Sequence, residues 1–123
     1  MDDVKNTPGP AFAQIEDPAL AHALNELGRS INLLTTYGNN HPAASKALNG
    51  THLAFQDLFS ERKKLTIGAF NGVLVIDDQT VKTAGTLQKS LERKLVRLNI
   101  TSLRIARGIS REELEQLAEL LSS

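Results

Sequence analysis

Residues 65–77 read LTIGAFNGVLVID, and this stretch decides the fold class because the spacing of apolar residues changes there. Its first half alternates apolar and other side chains, as a strand does when it buries one face. Asn71-Gly72 then separates two β-favouring runs, and a type I′ turn needs positive φ at both of its central residues. The stretch predicts strands at about 65–70 and 73–77, then a turn at 77–79 and a short third strand near 80–82.

Two amphipathic helices are predicted before this hairpin. Asp17 is a typical N-cap and Gly38 a typical helix end, so the first helix is predicted at about 18–37. Pro42 suits the first turn of a second helix, which we predict at about 42–61. Because the connection is short, the two helices should form an antiparallel hairpin.

The last third of the chain combines a helix, a strand and a final helix. Leucines at spacings of four and three predict a helix at about 86–98, which should end at Asn99. Alternation over 102–107 predicts a strand. Ser110 and Glu113 match a capping box, in which each side chain bonds to the backbone N–H of the other.

The order of elements predicts an α+β fold. We expect the N-terminal antiparallel helical hairpin to pack with a small three- to four-stranded sheet and two further helices. Residues 17–123 should form a single α+β domain, after a flexible N-terminal tail at 1–16 that is rich in Pro and Gly. The sheet should be mostly antiparallel, and a parallel pairing of the strand near 101–107 remains open.

The first helix carries an apolar stripe about four turns long. Such a stripe is typical of an intramolecular core, but its spacing of about 3.5 residues is also that of a coiled-coil dimer seam. Both interpretations can hold together, so the stripe is the candidate self-association site. Its residues are Leu20, Leu24, Leu27, Ile31 and Leu34.

The charge of the chain is segregated, although its formal net charge is zero. Residues 82–111 contain eight Lys or Arg and a single acid, Glu92, so this segment carries +7 and the other residues together −7. The segment predicts a surface for nucleic acid, a phosphorylated ligand or an acidic partner. The alternative is a solvated face, partly neutralised by glutamates of the last helix. The candidate anion- or partner-binding residues are Lys89, Arg93, Arg97, Arg104 and Arg107.

Few residues suggest catalysis or metal binding. The chain has no Cys, which excludes disulfides and thiolate chemistry. His41 and His52 share a helix face but lie about 16 Å apart along it, too far to bind one metal ion. His41 fits a helix start, and Asp77-Asp78 fits a turn. We therefore expect a protein that is not an enzyme and that has no catalytic residues, no metal and no cofactor.

Targeting features are also missing from the sequence. The N-terminus lacks the basic and apolar regions of a signal peptide, and no apolar run approaches the roughly 18 residues of a membrane span. Together with the lack of Cys, this predicts a soluble, cytoplasmic protein that does not contact a membrane.

Four stretches of the chain also carry a resemblance to a known module: residues 37–42, 65–77, 95–100 and 108–114. From about residue 31 onward, the sequence resembles the α+β segment that precedes HD-GYP phosphodiesterase domains or HEAT-repeat regions in bacterial multidomain signalling proteins. The resemblance implies a non-catalytic regulatory or assembly module that can dimerise. The His-Asp pairs of the phosphodiesterase itself are absent.

Two functions are therefore predicted. The first is a protein–protein interaction or regulatory module of a bacterial signalling or assembly protein, which binds a protein partner or itself as a homodimer. The alternative is an anion-binding module that uses the basic residues of 82–111 to bind nucleic acid or a phosphorylated ligand.

Overall fold

The structure is a computed structural model, and it describes residues 15–82 and 85–122. Most of the predicted N-terminal tail lies outside these residues, but Ile15 packs against the core. The described residues form an α+β fold, as predicted. Its elements are α1 (Pro18–Tyr37), α2 (Pro42–Leu58), β1 (Lys64–Phe70), β2 (Val73–Ile76), β3 (Gln79–Thr80), α3 (Thr86–Arg97), β4 (Leu103–Ala106) and α4 (Arg111–Ser122).

The ends of α1 and α2 follow from local capping. The Asp17 carboxylate accepts hydrogen bonds from the N–H groups of Ala19 and Leu20, at 3.0 and 3.3 Å. Gly38, with φ at 81°, ends α1. At the start of α2, Nδ1 of His41 accepts a hydrogen bond from the N–H of Ala43 at 3.1 Å, so His41 has the helix-start role that the sequence predicted.

The four strands form one antiparallel sheet in the order β3-β2-β1-β4. Both predicted turns have positive φ at their two central residues, with 54° and 78° at Asn71-Gly72 and 50° and 69° at Asp77-Asp78. The third strand was predicted near 80–82 but lies at Gln79–Thr80, so it starts one residue earlier and is shorter. β4 pairs with β1 and runs antiparallel to it, which settles the direction that the sequence left open.

The helices cover one face of the sheet, and α1 lies at their centre. Among the described helices, α1 contacts α2, α3 and α4, and α3 also contacts β1. The five residues of its stripe are all at most 7% exposed and belong to the core. The core interpretation of Leu20, Leu24, Leu27, Ile31 and Leu34 is therefore correct. A dimer seam on these residues does not fit this fold, because other parts of the same chain already cover them.

Two close contacts hold the neighbouring helices on α1. A Cβ atom at Gly28 would lie 2.5 Å from the carbonyl oxygen of Leu87, so only glycine lets the first turn of α3 approach α1 this closely. Between α1 and α2, the buried hydroxyls of Ser30 and Thr51 lie 2.7 Å apart and share a hydrogen bond. Oγ1 of Thr51 also lies 2.8 Å from the carbonyl oxygen of Glu26, so these buried polar groups are satisfied.

Replacing Gly28 with Ala should lower the free energy of unfolding by about 1–3 kcal/mol, because the new methyl group would overlap the backbone of α3. Gly50 in the middle of α2 is the matched control, since a Cβ there meets only Oε1 of Glu26 at 2.8 Å, the end of a flexible side chain. Gly50→Ala should be neutral or stabilise the protein by up to about 1 kcal/mol. Urea unfolding followed by circular dichroism measures both changes. Equal changes for the two variants would contradict the tight contact at Gly28.

Candidate functional site

The sheet has one face that no described helix covers. Leu65, Ile67 and Leu74 point toward the helices and are fully buried. Side chains on the opposite side alternate with them, and those of Val73 and Val75 are only half-buried and are not part of the core. We call this side the open face. Its side chains are those of Lys64, Thr66, Phe70, Val73, Val75, Thr80, Arg104 and Ala106. At Gly68 this face is closed by the chain before β4, because a Cβ there would lie 2.1 Å from the carbonyl oxygen of Thr101.

The apolar residues of the open face lie together at the turn that joins β1 and β2. Phe70 is 61% exposed and is the direct cross-strand partner of Val73. Val75 follows on the same side of β2. At the same end of the sheet but on its helical side, Val96 of α3 is 45% exposed and lines a shallow groove together with Phe70. We call Phe70, Val73, Val75 and Val96 together the hairpin patch. The sequence predicted that the first three lie in strands, but it did not predict that Val96 lies beside them.

The cations of the open face lie at its other end. Arg104 pairs with Thr66, which is four residues before Phe70 along β1, a distance of about 13 Å in a strand. Lys64 lies further still in the same direction. The hairpin patch is therefore free of charged side chains from the strands.

The predicted basic residues do not form one surface. Lys89, Arg93 and Arg97 are exposed on α3, which packs on the helical side of the sheet. Arg104 lies on the open face, and Arg107 follows β4 in the turn toward α4. An anion site that uses all five residues at once would need them to converge, and the sheet separates Arg104 from the row on α3.

Two other charged residues of the basic segment hold the fold together. Oε2 of Glu92 accepts a hydrogen bond of 3.0 Å from the N–H of Leu74, so α3 is tied to β2. Arg111 donates to Oδ1 of Asn49 at 2.8 Å, which links α4 to α2, and to Oε1 of Glu115 one turn further along α4 at 3.0 Å. The contacts of Glu92 with Leu74 and of Arg111 with Asn49 were not predicted, because each joins residues that are far apart in the sequence.

The remaining acid–base candidates also have roles in turns and caps. The Asp77 carboxylate accepts a hydrogen bond from the N–H of Thr66 at 3.0 Å and pairs with Arg62, which stabilises the turn between β2 and β3. The His41 ring stacks on Tyr37, with ring centroids 4.4 Å apart. Within residues 15–82 and 85–122, no group of three or more His, Asp or Glu could hold a metal ion.

The capping box at the start of α4 forms as predicted. The N–H of Ser110 donates to Oε1 of Glu113 at 2.9 Å, and the N–H of Glu113 donates to Oγ of Ser110 at 3.1 Å. Hydrogen bonds with Ser110 lower the pKa of Glu113 below its ordinary value. The hydrogen bond with the backbone of Ser110 has the larger effect, and the one with its side chain has the smaller effect. The box fixes the corner through which β4 joins α4.

No helix in the described part of the chain is long and apolar enough to cross a membrane. Comparison of the sequence with protein-family models, with curated proteins and with solved structures gave no match.

The lowered pKa of Glu113 predicts a pH-dependent contribution to stability. Because the folded state holds the carboxylate ionised, the contribution is present above the ordinary pKa and is lost as the pH falls through the lowered one. Wild type should therefore be more stable than Glu113→Gln at about pH 7, and this advantage should shrink at about pH 3. Urea unfolding at both pH values measures it.

Glu112→Gln is the control, because Glu112 lies in the same first turn of α4 but is not part of the capping box. Its substitution should give a smaller pH-dependent difference. An advantage over Glu113→Gln that persists unchanged at about pH 3 would show that the carboxylate charge is not the cause.

Proposed function

We propose that this chain is a non-catalytic protein-interaction module that self-associates through the open face of its sheet. The observation that carries the proposal is the exposure of Phe70, which is 61% accessible beside two half-buried valines on the face of the sheet that no described helix covers. Aromatic residues are enriched in the buried centres of protein interfaces, whereas charged residues are depleted there. The hairpin patch has this composition.

A second copy of the chain is the occupant that the charges favour. In a twofold dimer the same patch meets itself, so like charges near its centre would repel. The strand part of the hairpin patch is apolar, and Arg104 lies about 13 Å along the strands from Phe70, so two copies can bring these strand residues together without opposing Arg104. Arg93 and Arg97 flank Val96 on α3, so this side of the patch would lie at the rim of the interface.

The size of the hairpin patch limits the strength of the proposed dimer. A stable complex commonly buries about 800 Å² on each partner, which corresponds to 20 or more residues. The hairpin patch offers only four apolar side chains. We therefore propose a weak dimer, whose population rises with protein concentration and increases when a longer protein or a scaffold holds two copies together.

Several polar groups of the types that enzymes use in catalysis have structural roles here. His41 caps α2, Asp77 closes a turn and Ser110 caps α4. These roles favour an interaction module over an enzyme. The assignment to regulation or assembly in a bacterial signalling protein rests on the sequence resemblance alone and is part of this proposal.

Sedimentation velocity across a range of protein concentrations tests the self-association. The average mass of the wild type should rise above the 13.4 kDa of one chain, whereas Phe70→Ser should stay monomeric. Leu53→Ser is the matched control, because Leu53 is 62% exposed but lies on α2, away from the sheet. It should associate like wild type. A wild type that remains monomeric at millimolar concentration overturns the self-association, and a Phe70→Ser variant that still dimerises overturns the choice of surface.

The alternative function, binding of nucleic acid or a phosphorylated ligand, is favoured by one observation. Lys89 and Arg93 are exposed one turn apart on α3, and their side chains have no hydrogen bond or ion pair with any described residue. A row of cations on one helix can follow a phosphate backbone.

Fluorescence anisotropy with a labelled DNA or RNA oligonucleotide separates the two functions. An interaction module should not bind the oligonucleotide at about 50 mM salt. Binding that is lost by about 200 mM salt and abolished in Lys89→Glu/Arg93→Glu would favour the anion-binding function instead. Arg104→Glu is the control, because Arg104 lies on the other side of the sheet and its reversal should leave such binding intact.

A further inference from the structure

β4 is an edge strand with unpaired backbone groups on its outer side. It pairs only with β1 in the described sheet. The hydrogen bond from the N–H of Arg107 to the carbonyl oxygen of Lys63, at 2.7 Å, sets the alternation along the strand. Leu103 and Ile105 therefore direct their N–H and C=O groups toward β1, and Arg104 and Ala106 direct theirs outward. No described strand accepts these outward groups.

A groove of about 440 Å³ with apolar and charged side chains in its lining lies alongside this free edge, between β4 and α4. Leu103, Ile109 and Leu117 line it, and all three are half-buried: they pack against the core on one side and remain accessible on the other. Apolar side chains from a strand added to the edge would point into this groove at every second position.

The free edge also carries positive charge. Arg104 points to the open face beside the position that an added strand would take, and Arg107 lines the groove. Both are exposed, and neither side chain forms an ion pair with a described residue. The one acid that lines the groove, Glu113, is held in the capping box. Residues side by side on adjacent strands lie about 4.5–5.5 Å apart, so an acid opposite Arg104 would form a favourable cross-strand pair.

These charges disfavour a second copy of β4 as the added strand. In an antiparallel pairing centred on Ile105, each Arg104 would lie beside Ala106 of the other copy, and the two arginines would be diagonal neighbours about 7–8 Å apart. Like charges at this spacing repel, and charged edges are a common means of preventing self-pairing. The same arginine attracts a strand of opposite charge.

We propose that the β4 edge binds an extended segment of a partner protein in which acidic residues alternate with apolar ones. The segment adds a fifth strand to the sheet: its backbone pairs with Arg104 and Ala106, its apolar side chains enter the groove, and its acids lie beside Arg104. This inference rests on the proposed function as an interaction module, but it uses a surface other than the hairpin patch.

A fluorescein-labelled nonapeptide that alternates Glu with Val or Ile is the probe, and anisotropy measures its binding to the full chain. We expect binding that weakens at least about fivefold in Arg104→Glu, because the favourable cross-strand pair becomes repulsive. The same peptide with Lys in place of Glu should bind Arg104→Glu better than it binds the wild type. Arg93→Glu is the control, since Arg93 is equally a surface arginine but lies on α3, and it should bind the acidic peptide like wild type.

Two measurements test the backbone pairing itself. Methylation of a peptide amide that faces the edge should weaken binding about tenfold, because a hydrogen bond is lost. The amide protons of Arg104 and Ala106 should exchange more slowly with solvent when the peptide is bound, since they point away from β1 in the free protein. Urea unfolding confirms that each variant folds.

The outcomes separate this inference from the proposed function. No binding of either peptide at millimolar concentration, or binding that Arg93→Glu weakens as much as Arg104→Glu does, overturns the edge site. If the chain nevertheless self-associates through Phe70, only the edge inference fails. If the acidic peptide binds at the edge and the chain stays monomeric, the self-association fails and the edge site stands.

Discussion

Burial of the apolar stripe on α1 is the constraint on which the rest of the structure depends. All other described helices contact α1, and the five side chains of the stripe are at most 7% exposed. Full burial of one such side chain contributes about 1.5–3 kcal/mol, so exposing the stripe to bind a second copy would cost more free energy than a weak interface returns. The stripe therefore belongs to the core of one chain, and any contact with another chain uses a different surface.

The same constraint leaves one side of the sheet without a described helix. The described helices gather around α1 on one side of the sheet, and none of them lies over the other side. The open face keeps an apolar end at Phe70 and a basic end at Arg104, and β4 is left as a free edge. The surfaces that we propose for recognition are thus consequences of how the core is built.

Local features were predictable from the sequence because neighbouring residues determine them. The turn at Asn71-Gly72, the left-handed residue Asn99 that ends α3 and the capping box of Ser110 and Glu113 all form where the sequence placed them. The end of α2 was not predicted correctly, because the helix stops at Leu58 rather than near residue 61. Ser60 donates two hydrogen bonds to the carbonyl oxygen of Asp57, and these bonds tighten the last turn. Of the candidate site, the exposure of the basic side chains was predicted, and their distribution over two sides of the sheet was not.

The sequence by itself determined the types of element, their order and most of their ends, since periodicity, caps and turns act over a few residues. Only the tertiary structure decided that β4 pairs antiparallel with β1, that Gly28 admits the backbone of α3, and that Arg104 is separated from the cations of α3. These features depend on which surfaces meet after folding, and side-chain spacing carries no information about contacts between distant parts of the chain. The free edge of β4 belongs to the same group, because a strand is an edge only in relation to its sheet.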